Sequence, residues 1–193
     1  MTGVAKGRPE SSVFARLGFV RSRVGVAIVA FVWLAGPVWA ADIEVCLTPG
    51  QDCTATIVAA IDRAQRSLLV QQYELTSPEL VQAILGAHRR GVAVRVLLDR
   101  RVSRYSGAGA LVRESIPVAI DSHVAGIAHN KIAIIDGKTV IGGSFNWTQS
   151  AQRRNAENVM VIQDAALAAQ FTRNFEQRAS KAIPYRDRRR RGR

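Results

Sequence analysis

The stretch that most constrains the fold is "VAVRVLLD", Val92–Asp99, which reads as a strongly buried strand. A helix with marked ends precedes it. Ser77 caps that helix, Pro78 takes its first position, and Gly91 stops it after about Arg90. Before the helix, "SLLVQQYEL" (Ser67–Leu75) reads as another strand. Strand, helix and strand in succession are the unit of which α/β folds are built. The alternation continues in both directions. "DIEVCLTP" (Asp42–Pro49) alternates like a strand, and Cys53–Gln65 carries Ile57, Ala60, Ile61 and Ala64 at helical spacing. Downstream follow a short helix near Gly107–Ser115, a strand over Ile116–Asp121, a hairpin, a strand over Glu157–Gln163 and a helix from Asp164 to about Ser180. This order predicts one α/β domain with a mixed β-sheet flanked by helices and no internal repeat. A hydrophobic content of 48% supplies a real core and excludes a disordered chain.

The ends of the chain differ from this body. Residues 1–23 hold Lys6, Arg8, Arg16, Arg21 and Arg23 against Glu10 alone, and Val24–Ala40 ("VGVAIVAFVWLAGPVWA") has no charge. A basic lead, an apolar run and small residues at its end describe a secretory signal over 1–40. Gly36-Pro37 breaks the helix, Val38-Trp39-Ala40 presents small side chains where a peptidase reads, and cleavage after Ala40 would leave Ala41 first. The alternative is an uncleaved anchor, since Val24–Ala40 approaches the ~17 residues that just span a bilayer. Either way the expected location is periplasmic or secreted, or anchored at the membrane. Cys46 and Cys53 are the only cysteines and flank a Pro49-Gly50 turn. In an oxidising compartment they would close a small loop, constraining the unfolded chain by roughly 2–3 kcal/mol. The alternative is two separate reduced thiols, and two cysteines alone make no zinc site.

Of the formal net charge of +12, residues 1–40 carry +4 and residues 183–193 ("IPYRDRRRRGR") carry +5, leaving +3 for 41–182. The body is thus only mildly basic. Attraction to polyanions falls mostly to the arginine tail, which is expected to be disordered from Ile183 onward.

The polar residues with a chemical pattern cluster in "IAHNKIAIIDGKTVIGGSFNWTQSAQRRNAEN", Ile127–Asn158. Two apolar strands flank Asp136-Gly137-Lys138, a turn signal. A two-residue Gly137-Lys138 loop sets Lys131 opposite Ser144 and His129 opposite Asn146; an Asp136-Gly137 loop sets His129 opposite Ser144. Both registers put His129, Lys131, Ser144 and Asn146 on one face of the sheet, with Asp136 on the other parity in a structural role. Gly142 and Gly143 are expected to keep that neighbourhood open for a bulky ligand. An imidazole to attack or protonate, an ammonium to neutralise oxyanions, and hydroxyl and amide donors together suit a phosphoryl group without a metal.

At this point the chain resembles a family. "HNKIAIIDGKTVIGGSFN" fits the HxKx4Dx6GSxN pattern of the phospholipase D superfamily at every specified position. The element order from Ile43 to about Ala179 is similar to the small bacterial Nuc-type endonucleases of that superfamily, which carry one motif per chain. The resemblance implies that His129 is a buried nucleophile forming a phosphohistidine. It implies that Lys131, Ser144 and Asn146 hold the phosphate oxygens, and that Glu157 is the carboxylate that orients the histidine. It implies no cofactor and no metal. Because transfer through phosphohistidine needs a second, protonated histidine, one motif per chain implies a homodimer with a shared site, as in the family's single-motif members.

Outside the pattern, His88 reads as a surface residue at a helix end and His123 as an ordinary loop residue. Arg153 and Arg154, in a polar loop, are candidates for a nucleic-acid backbone. The expected activity is a phosphodiesterase cutting DNA, and RNA as a further substrate, with little sequence preference. A phospholipase D acting on membrane phospholipid headgroups uses the same residue types, and a non-catalytic adaptor binding nucleic acid or membrane through the basic ends is the third reading.

Overall fold

The computed structural model describes residues 41–101 and 106–186; residues 1–40, where a signal is expected, and the last seven residues of the arginine tail lie outside them. The described elements are β1 (Asp42–Thr48), α1 (Cys53–Asp62), β2 (Ser67–Gln72), α2 (Pro78–Arg89), β3 (Ala93–Asp99), α3 (Ala108–Arg113) and β4 (Val118–Asp121). They continue with β5 (Lys131–Ile135), β6 (Thr139–Gly143), α4 (Gln149–Arg153), β7 (Glu157–Gln163), α5 (Ala165–Ala179) and β8 (Ile183–Pro184).

Local chemistry starts each major helix. Asp52, Ser77, Thr148 and Asp164 accept backbone N–H groups in the first turns of α1, α2, α4 and α5, satisfying donors that have no partner inside the helix. The strands form one mixed sheet in the order β1-β7-β6-β5-β2-β3-β4-β8. β2, β3 and β4 run parallel and the other pairings are antiparallel. α1, α2 and α3 cover one face, where Ile57, Ile61, Leu80, Ile84 and Leu111 meet Leu68, Val70, Val96 and Ile141. α5 covers the other, packing Ala168 and Phe175 on Leu97, Ile134 and Val140. Cys46 and Cys53 are joined in a disulfide that ties edge strand β1 to the start of α1.

Three expectations change. The hairpin has neither anticipated register. Asp136 and Gly137 form the turn at φ of 54° and 68°, and Lys138 donates its N–H to Ile135 O. Lys138 is then an extra residue whose carbonyl accepts the Asp164 N–H, so Ile135 pairs with Thr139 and Ala133 with Ile141. Continued, this register sets Gly143, not Ser144, opposite Lys131. Second, the chain after the hairpin is not all loop: Thr148 caps the short α4, which ends at Arg153. Third, the tail is ordered at its start. Ile183 pairs with Ile120 and Pro184 with Ala119 at the sheet edge, while Tyr185 donates its N–H to Val118 O. The body therefore extends past residue 182.

Candidate active site

The site is assembled around an extension of β2. β5 runs antiparallel to β2 with Lys131 beside Gln72, and the ladder continues as Tyr73 donates its N–H to Asn130 O. On its other flank the same segment meets the chain that follows β6. Trp147 donates to Glu74 O, and Thr76 to Trp147 O. Tyr73–Thr76 thus runs between the His129–Lys131 end of the pattern and the Asn146–Trp147 end. Buried Phe145 and Trp147 anchor the second end in the core.

His129 lies just before β5 and is exposed, not buried as expected. It precedes the strand, on a loop held by Asp99. That carboxylate, with no exposed surface, accepts the Arg101 N–H at 2.8 Å and the Ala128 N–H at 2.6 Å, fixing the backbone one residue before the histidine. The imidazole meets the Tyr73 ring edge-on with centroids 4.7 Å apart. Lys131 is buried, and its Nζ donates to His129 O at 3.1 Å and stands 5.3 Å from the Tyr73 ring centroid. Burial lowers its pKa, opposed by the nearby charges of Glu157 and Glu74. A bound phosphate would add further negative charge beside this ammonium.

Ser144, Glu157 and Asn158 form the facing cluster. Ser144 Oγ donates to Glu157 Oε2 at 2.5 Å and accepts the Asn158 N–H at 3.1 Å. Strict alternation from the observed register would send Ser144 to the opposite sheet face. β6, however, ends at Gly143, whose φ of 137° departs from strand geometry. A Cβ on Gly143 would lie 2.2 Å from Asn158 O. This glycine is therefore required by a backbone contact, and at Gly142 a Cβ would meet Ile132 Cδ1 at 3.3 Å; neither marks space for a ligand. Glu157 also accepts from Asn155 Nδ2 at 2.8 Å, and its own N–H donates to Thr48 Oγ1 at 3.0 Å. Its carboxylate thus engages Ser144 and Asn155 rather than the His129 of its own chain, because β6 lies between β7 and β5. Asn146 is half-buried, and its side-chain oxygen is buried without a partner.

The remaining candidates stand apart. Asp136 serves the turn: its carboxylate accepts the backbone N–H groups of Gln65, Arg66 and Ser67. Arg153 ends α4 near Glu79, whose carboxyl is lowered by its own backbone N–H, then by the Ser77 hydroxyl, and further by this arginine's charge. Arg154 is exposed at the C-cap of α4. His88 is half-buried in the last turn of α2, and His123 is exposed between β4 and β5. Among the described residues no three His, Cys, Asp or Glu side chains are placed to hold a metal ion. Sequence reasoning missed Tyr73, Glu74 and Asp99. Only Asp99 left a signal, a carboxylate directly after the apolar run Val96-Leu97-Leu98.

Residues 57–179 match the family model described as cardiolipin synthase, PLD-like domain. The chain belongs to the phospholipase D superfamily. A protein named phospholipase D from Rickettsia felis is 45% identical over 135 residues, 69% of this chain and 67% of its own length. The mitochondrial cardiolipin hydrolase of Xenopus tropicalis is 34% identical over 134 residues, 68% of this chain and 63% of its own. The crystal structure of Nuc from Salmonella typhimurium, a phospholipase D family member, superposes with a TM-score of 0.73 at 32% identity. That match covers 76% of this chain and 99% of that one. Superfamily membership carries the reaction class, so this phospholipase D-like chain is a phosphodiesterase, and the non-catalytic reading gives way to it.

Proposed function

We propose that the protein is an exported endonuclease that cuts DNA through a phosphohistidine. The observation that carries this reading is the exposed His129 two residues before a buried Lys131, with Ser144 and Asn146 on the segment that follows β6 and Glu157 on β7 bonded to Ser144. A neutral imidazole nitrogen of His129 bonds to phosphorus as the ester bond to the leaving oxygen breaks. That oxygen takes a proton from a second histidine. Water then attacks phosphorus, the P–N bond breaks, and the second histidine recovers its proton from the water. Lys131 balances the phosphoryl charge, while Ser144 and Asn146 donate to its oxygens.

One chain supplies only one such histidine, and that residue is exposed. A homodimer in which His129 of the partner subunit is the proton donor completes the site. In that arrangement Glu157, whose carboxylate engages Ser144 and Asn155 in its own chain, would orient the partner's histidine. The likeness to Nuc over nearly all of that chain supports the nuclease reading. The Cys46–Cys53 pairing supports export, because disulfides persist in oxidising compartments. The second reading, hydrolysis of phospholipid headgroups, is favoured by relatives named phospholipase D and mitochondrial cardiolipin hydrolase.

One assay separates the two: supercoiled plasmid and phosphatidylcholine or cardiolipin vesicles, offered separately in EDTA. Nicking and linearisation of the plasmid with intact lipid is the expected result. Release of headgroups with an untouched plasmid would replace the nuclease by the lipid enzyme, and activity only on readdition of a divalent ion would remove the metal-free mechanism.

A further inference from the structure

Beside the histidine lies a cavity of about 210 Å³ that the reaction above leaves unused. It sits at the carboxyl ends of the neighbouring parallel strands β2 and β3, where open α/β sheets bind ligands. Leu98, the penultimate residue of β3, contributes one wall, and the segment Tyr73–Thr76 after β2 contributes another. Tyr73 belongs to both places. Its ring touches the His129 imidazole, and the same residue lines the cavity. One residue therefore links the cavity to the attacking histidine.

The lining is amphipathic in a particular way. Tyr73 offers an aromatic surface, and Leu75 and Leu98 an aliphatic one. The other lining residues include Glu74, whose carboxylate is an acceptor, and Arg101 and Ser106, whose guanidinium and hydroxyl are donors. Ser106 Oγ is buried and has no hydrogen-bond partner. Gln72 is the same kind of group one residue before Tyr73. It is 1% exposed, and neither polar atom of its amide has a partner. Its strand neighbours are Lys131 on β5 and Leu98 on β3, so it stands in the row between the lysine and the cavity wall. Buried polar groups are nearly always satisfied, so the Ser106 hydroxyl is a group that a molecule bound in the cavity would satisfy.

A flat heterocycle with donors and acceptors on its rim satisfies this set. It would lie against Tyr73, give an exocyclic amine to Glu74, and take hydrogen bonds from Arg101 and Ser106. A second phosphate group would meet the Glu74 carboxylate and is the poorer fit. We propose that this cavity receives the nucleobase flanking the scissile phosphate, so that cleavage is biased at one flanking position. The inference rests on the nuclease reading and departs from the expectation of little sequence preference.

The test digests a random-sequence DNA library with the full protein and sequences the ends produced. Wild type should favour amine-bearing bases at one position next to the cut, by about fivefold for one satisfied hydrogen bond. Glu74→Gln and Ser106→Ala, each checked for a native circular-dichroism spectrum, should flatten or redirect that bias. A flat wild-type profile would overturn the proposal while leaving the nuclease reading intact, and so would a bias that survives both substitutions. Absence of any cutting would instead remove the nuclease reading and the subsite with it.

Discussion

Asp136→Asn tests how the hairpin that carries the site is fixed to the rest of the sheet. Asparagine tolerates the φ of 54° at this position, so the turn survives and only the charge and one acceptor oxygen are lost. The carboxylate accepts N–H groups from Gln65 at 3.1 Å, Arg66 at 2.7 Å and Ser67 at 2.9 Å. Each hydrogen bond to a charged group contributes about 1.5–3 kcal/mol, which for the set suggests about 4.5–9 kcal/mol. Two features reduce that. Gln65 and Arg66 are exposed, so water can take over their N–H groups, and the amide oxygen remains an acceptor. The expected loss is about 2–3 kcal/mol, or about 4–12 °C in Tm for a domain of this size. The pH dependence has a definite sign. Burial raises the pKa of this carboxyl, but the N–H groups of Ser67, Arg66 and Gln65 and the charge of Lys138 together hold it below the usual range. A depressed folded-state pKa stabilises the fold fully above the unfolded value of about 4. That contribution is lost as pH falls through the lower folded value. Thermal unfolding of both proteins, followed by circular dichroism from neutral to acid pH, should show the full gap at neutrality and a closing gap below about pH 4. Equal Tm values at neutral pH, or a gap that stays constant in acid, would refute the reasoning.

Other expectations follow from the same geometry. His129→Ala should abolish turnover without lowering Tm, because its ring is exposed; alkaline quenching of wild type during turnover should trap a phosphorylated His129, and its absence would remove the covalent mechanism. Gly143→Ala should cost at least about 3 kcal/mol by denaturant unfolding, since backbone must move to relieve a Cβ placed 2.2 Å from Asn158 O; a loss under about 1 kcal/mol would mean that this approach is not rigid. Refolding wild type with an equal amount of His129→Ala protein should leave about one quarter of the activity of an all-wild-type sample, because random pairing leaves that share of dimers with both histidines. A value near one half would show that each chain works alone.

The amino-acid sequence by itself determined the elements whose signals are local. Ser77-Pro78 and Asp164 start α2 and α5 by offering side-chain oxygens to unpaired N–H groups, and the apolar run ending at Asp99 is buried as β3. The spacing from His129 through Lys131 and Ser144 to Asn146 was legible for the same reason, since its chemistry is written within eighteen consecutive residues. Elements too short to show a period, α4 and β8, left no such trace. Only the tertiary structure decided the hairpin register, because the extra residue is held by a contact from Asp164 to Lys138 that no turn rule contains. It also decided that the Tyr73 ring meets both His129 and Lys131, and that Glu157 bonds Ser144 rather than its own histidine. Those relations depend on β2 lying beside β5 and β7 beside β6. Strand adjacency is set by how the whole core packs, and residues more than fifty positions apart, such as Tyr73 and His129, carry no local record of meeting.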